Sequence, residues 1–130
     1  MNPDTLAGAM RAGASGLHGP EAAVGLLTGH RYWLTRSDFI SGFAVTFTSL
    51  TDGTPMAAVS WPAAIAALDC GQLPGSNSEN KILRLAAALA DGTPVDLQQA
   101  VTGLDDTNLQ HVITAIRHAA GRRPARGTQL

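Results

Sequence analysis

Two apolar stripes at helical spacing dominate the C-terminal half of the chain. Placed at about 100° per residue, Ile82, Leu85, Ala86 and Leu89 fall on one line, which predicts an amphipathic helix over 79–90. Leu83 and Ala87 lie well off that line. The helix is therefore apolar over more than half its circumference, which puts it at the centre of the fold or in contact with a second subunit. Over 106–120, Leu109, Val112, Ile113, Ile116 and Ala120 form a second stripe, expected to face the core.

The polar residues that interrupt these stripes are helix punctuation. Ser76 stands three residues before Glu79, the Ser-x-x-Glu spacing of a capping box, and Asp91-Gly92 closes that helix. Asp96 caps a short helix through Val101, which Gly103 ends, and Asp105 or Asp106 caps the last one. Ser60 can cap a helix through WPAAIAALD, with Pro62 tolerated in its first turn and Gly71 and Pro74 beyond its end. Upstream, Pro20 opens a helix over 20–30 with Ala23, Val24 and Leu27 in phase. Ser37-Asp38 starts a short helix through Phe43. Val45, Phe47 and Val59 then flank Asp52-Gly53 in β-favouring surroundings, the pattern of a hairpin across roughly 44–59, with Pro55 confined to an edge or unpaired position.

These elements predict a mainly α fold: a single-domain helical bundle of about five to six helices, with one small β-hairpin around 44–59. Residues 1–19 alternate small residues with glycine, each glycine weakening a helix by about 1 kcal/mol relative to alanine. They are expected to form a flexible N-terminal segment with at most a short helix near Asp4–Arg11. The domain proper spans 20–121, and 122–130 is expected to be a disordered basic tail.

Composition narrows the function classes. The chain has 130 residues, nine Lys plus Arg against ten Asp plus Glu, and a formal net charge of −1. That balance disfavours nucleic acid as the default partner, because generic phosphate affinity needs a basic surplus. The basic residues that do cluster are Arg117, Arg122, Arg123 and Arg126. The single cysteine, Cys70, forbids an intramolecular disulfide and a Cys-rich metal site, which suits a reducing, cytoplasmic setting. Its neighbour Asp69 disfavours a thiolate, so Cys70 is expected to be a small buried residue at a helix end. No apolar run approaches the ~18–20 residues of a membrane span, and no signal-peptide pattern opens the chain. Among the nine basic residues only Lys81 is lysine, a bias of GC-rich genomes.

No convergent catalytic set is visible. His111 and His118 lie seven residues apart, roughly 10 Å along a helix, too far to share one zinc ion. They fall about 180° from the Leu109–Ile113–Ile116 stripe, so they are expected to face solvent or a partner. His18 sits among glycines. His30 sits at a helix end, where a cation would complement the dipole. Asp105-Asp106, Glu21 and Glu79 are explained by helix N-termini. Neither a nucleophile elbow nor a phosphate-binding glycine loop occurs. Accordingly no catalytic residue, metal ligand or cofactor is assigned. Every Trp, Tyr and Phe falls between Tyr32 and Trp61. Within that segment Arg31, Tyr32, Trp33 and Arg36 combine cations with large aromatics, which suits either a binding hot spot or a staple onto the core.

The stretch WPAAIAALDCGQLPGSNSENKILRLAAALADGTPVDLQQAVTGLDDTNLQHVITAIRHAAGRR, residues 61–123, resembles small actinobacterial proteins of no known activity, with the likeness reaching back toward Leu17. The resemblance implies a cytoplasmic setting and supplies no site residues.

Three functional readings follow. The first is a non-enzymatic interaction or regulatory module that binds a protein partner or a second copy of itself, through Arg31, Tyr32, Trp33 and Arg36 or through the broad apolar helix at Leu83. The second is a DNA-binding regulator with a helix-turn-helix-like unit at 79–120, contacting phosphates through Arg117, Arg122, Arg123 and Arg126. Asp105 and Asp106 oppose it, because they would repel DNA at the start of the reading helix. The third is a small enzyme using His111 or His118 with a partner residue the sequence does not name.

Overall fold

The structure, a computed structural model, describes residues 2–122. Arg123 and Arg126, with most of the expected basic tail, lie outside the described residues. The fold is mainly α with one small hairpin: α1 (Pro3–Ala14), α2 (His18–His30), a 3₁₀ turn (Trp33–Thr35), α3 (Ser37–Phe43), β1 (Ala44–Thr48), β2 (Pro55–Val59), α4 (Trp61–Asp69), α5 (Asn77–Asp91), α6 (Leu97–Val101) and α7 (Asp106–Ala119). Seven α-helices are thus present among the described residues, against the five to six expected.

The cap chemistry governs the C-terminal half. Ser76 Oγ accepts from the Glu79 N–H while Glu79 Oε1 accepts from the Ser76 N–H at 2.7 Å, a complete capping box. Asp96 and Asp105 accept from the Gln99 and Asn108 N–H groups, and Gly92 ends α5 at φ 75°. Ser60 differs: it precedes α4 but its side chain makes no capping bond. β1 and β2 pair antiparallel from Ala44↔Val59 to Thr48↔Pro55, so Pro55 opens its strand where the missing N–H costs least.

The helix expected at most near Asp4–Arg11 is longer, spanning Pro3–Ala14. α1 is capped by Asn2, whose Oδ1 accepts from the Thr5 N–H at 2.8 Å, and it buries Leu6, Ala7, Ala9, Met10 and Ala14. Gly13 lets it sit on the hairpin, since a β-carbon there would stand 2.5 Å from the Ala57 carbonyl oxygen. A glycine that weakens an isolated helix is here the condition for close tertiary approach.

α5 takes the central place. Ile82, Leu83, Ala86 and Ala87 are all fully enclosed, and α5 meets α2, α4, α6 and α7. The breadth of its apolar surface therefore reflects burial on several sides. α2 packs on one flank of α5, and α7 covers α2.

Candidate functional site

α2 and α7 run antiparallel, with the histidines of α7 spaced along the contact. His111 lies over Gly29, where a β-carbon would come 3.0 Å from Nδ1. Two turns further along α7, His118 Nε2 stands 2.8 Å from Glu21 Oε1. Val112 and Ala115 fill the space between and are buried.

This arrangement turns α7 about its axis from the expected orientation. Of the stripe expected to face the core, Val112 is buried, while the side carrying Val112, Ala115 and the half-buried histidines lies inward. Leu109, Ile113 and Ile116 remain 36%, 40% and 46% exposed. The physical reason lies on α2: glycine at position 29 admits an imidazole, and Glu21 supplies His118 with a charged partner. The small side chains of Val112 and Ala115 permit a close approach that the larger aliphatic side would not. The outward residues Leu109, Ile113, Ile116 and Ala120 follow a 4-3-4 spacing, that of a coiled-coil seam.

At the other end of the same contact, His18, Glu21 and His118 converge. His18 is the first residue of α2 and Glu21 follows one turn later, so both project from one side of the helix. Gly19 fixes that helix end against α5, because a β-carbon there would collide with the Leu89 carbonyl oxygen. Glu21 Oε2 accepts from the Gly16 N–H at 2.8 Å, and Gly16 adopts φ 90° in the link between α1 and α2. The His18 and His118 rings meet edge to face, centroids 6.4 Å apart. One ligand atom from each of the three residues lies within 4.8 Å of the others. Glu21 and His118 also line a cleft of about 270 Å³ shared with Arg11, Ser15, Val24 and Gly25.

The aromatic group has a different place. Trp33 is fully buried, its Nε1–H donating to the Glu79 carbonyl at 2.9 Å, and its ring meets Tyr32 edge to face and Phe39 at a tilt, at centroid distances of 5.0 and 5.5 Å. Tyr32 donates its hydroxyl proton to the Pro74 carbonyl. Arg36 pairs with Asp38 at 2.8 Å and holds its carboxyl below the usual range. Arg31 ends α2 in the left-handed region at φ 73°, exposed beside Asp4. Trp33 therefore staples α2 to the first turn of α5. It offers no surface to a partner, and neither does Leu83. Cys70, expected inside, is exposed at the end of α4.

The remaining expected sites are dispersed. Arg117 and Arg122 are exposed at the end of α7. α7 rests chiefly on α2, with a smaller contact to α5, and presents an aliphatic side outward, which is a poor match for a DNA-reading helix. His30 is half-buried, and burial pushes its imidazole below the ordinary range, ahead of opposing effects from Glu79 and Asp105. It is thus held toward the neutral form, not the dipole-stabilised cation expected. A larger cleft between α5 and α6 has its charges already engaged, Arg84 with Asp69 at 2.7 Å and Lys81 with the Thr102 carbonyl.

Sequence reasoning missed the His18–Glu21–His118 cluster. Its one local signal is His18 and Glu21 at helical spacing, hidden when the helix is begun at Pro20. Comparison with family models, curated proteins and solved structures gives no match for this chain.

Proposed function

We propose that this chain is a protein-interaction module that works as a homodimer, with α7 packing antiparallel against α7 of a second copy. The observation that carries the reading is the outward 4-3-4 seam of Leu109, Ile113, Ile116 and Ala120 on a helix whose other side packs chiefly on α2. A seam of that spacing is complementary to another helix.

Charge selects the second copy and its direction. Asp105 and Asp106 stand at the start of α7, with Arg117 in its last turn and Arg122 just beyond it, all exposed. On a helical wheel Asp106 and Arg117 flank the seam on the same side. A two-fold axis near residues 112–113 sets the acidic end of each helix beside the basic end of the other, whereas a parallel pair would stack like charges. The hairpin also exposes Val45, Phe47 and Leu50. Its neighbours are Thr46, Thr48 and Ser49, so it carries no comparable charge pattern.

No helix among the described residues is long and apolar enough to cross a membrane. A cytoplasmic setting is our reading of the single cysteine, and an actinobacterial origin that of the resemblance carried by residues 61–123. Light scattering across a concentration range tests the dimer through charge exchange. Arg117→Asp should weaken association, and the double variant Asp106→Arg/Arg117→Asp should restore it. Loss in both, or in neither, would count against antiparallel pairing.

A further inference from the structure

We infer that His18, Glu21 and His118 form a binding site for one divalent transition-metal ion of the zinc class. The site is independent of self-association, because all three ligands come from one chain.

Geometry comes first. The three ligand atoms lie within 4.8 Å of one another. Zinc, with bonds of about 2.0–2.1 Å, holds tetrahedral ligand atoms roughly 3.3 Å apart. The 2.8 Å separation of Glu21 Oε1 and His118 Nε2 needs to open slightly, and His18 needs to close in. His18 is the exposed member of the three, so it can turn without disturbing the core. Its Nε2 faces the last turn of α7, 3.7 Å from the place a β-carbon on Gly121 would occupy.

Donor chemistry selects the ion. Two imidazole nitrogens and one carboxylate suit zinc, cobalt or nickel, whereas magnesium and calcium prefer all-oxygen shells. The Gly16 N–H bound to Glu21 Oε2 is an outer partner of the kind that orients a ligating carboxylate. Three protein ligands leave a fourth position, and the 270 Å³ cleft that Glu21 and His118 share with Arg11 and Ser15 gives water or a small anion access to it. Bound there, the ion cross-links the first turn of α2 to the last turn of α7 and so fixes the helix that carries the outward seam.

The test uses tag-free, chelator-stripped full-length protein titrated with zinc and with cobalt(II). The expected result is one ion per chain, a raised melting temperature and the intense visible absorption of four-coordinate cobalt. Magnesium should have no effect. His18→Ala, whose circular dichroism should match the parent, is expected to weaken zinc binding by about 100-fold. Glu21→Gln should also weaken it, and Cys70→Ser should leave it unchanged. Absence of saturable zinc binding overturns the site, as does affinity unchanged in His18→Ala or lost in Cys70→Ser.

Discussion

His118 Nε2 and Glu21 Oε1 meet at 2.8 Å across 97 residues of chain, with only 23% and 19% of their side-chain surfaces exposed. The contact ties the last turn of α7 to the first turn of α2, and the same carboxylate holds the Gly16 N–H. Replacing Glu21 with Ala removes both acceptors at once. The expected cost is about 1–3 kcal/mol, since two donors lose their protein partner in a partly dry setting. Urea denaturation in the presence of a chelator measures it as a lower midpoint at unchanged slope. An unchanged midpoint would mean that the pair contributes nothing.

Gly19 makes a sharper prediction. Alanine normally favours a helix over glycine by about 1 kcal/mol, so Gly19→Ala would stabilise an unconstrained helix. Here the new methyl meets backbone, the Leu89 carbonyl, which cannot swing aside. The sign should reverse, with a loss of about 1–3 kcal/mol read from thermal or urea melts. A stabilised variant would show that α2 does not approach α5 this closely.

His30 gives the fold a pH dependence. Burial lowers its folded-state affinity for a proton, and Nδ1 has no hydrogen-bond partner among the described residues. Near pH 7 and above, both states are neutral and the residue is silent. As pH falls below its unfolded value of about 6.5, the unfolded chain takes up the proton first, so stability declines until the folded form also titrates. Urea melts between about pH 7 and 5 should show this decline, and His30→Gln should flatten it. Equal slopes for parent and variant would rule His30 out as the source.

The sequence made legible what is local and left hidden what depends on another element. Ser76 with Glu79, Asp96, Asp105 and Gly92 mark helix ends because a cap is satisfied within one turn of chain, and α5, α6 and α7 begin and end as they indicate. α1 was obscured because Gly13 looks like a helix weakener until Ala57 is placed above it. Periodicity in α7 groups Val112 with Leu109, Ile113 and Ile116, yet Val112 alone of these is buried, because the choice of the inner side belongs to Gly29 and Glu21 on α2. The same dependence concealed the candidate site. His111 and His118 are too far apart to cooperate with each other, and the residues that do meet His118 lie at the opposite end of the chain.

The outward side of α7 is the feature on which the functional reading stands, and Ile113 is its midpoint. Sedimentation equilibrium of the parent and of Ile113→Asp, with circular dichroism melts alongside, tests it most directly. The parent is expected to be a dimer that dissociates on dilution, and the variant to be monomeric at every concentration yet keep the parent's helix content, because Ile113 is 40% exposed and stands outside the buried core. A parent that sediments as a monomer throughout, or a variant that still dimerises, would contradict it.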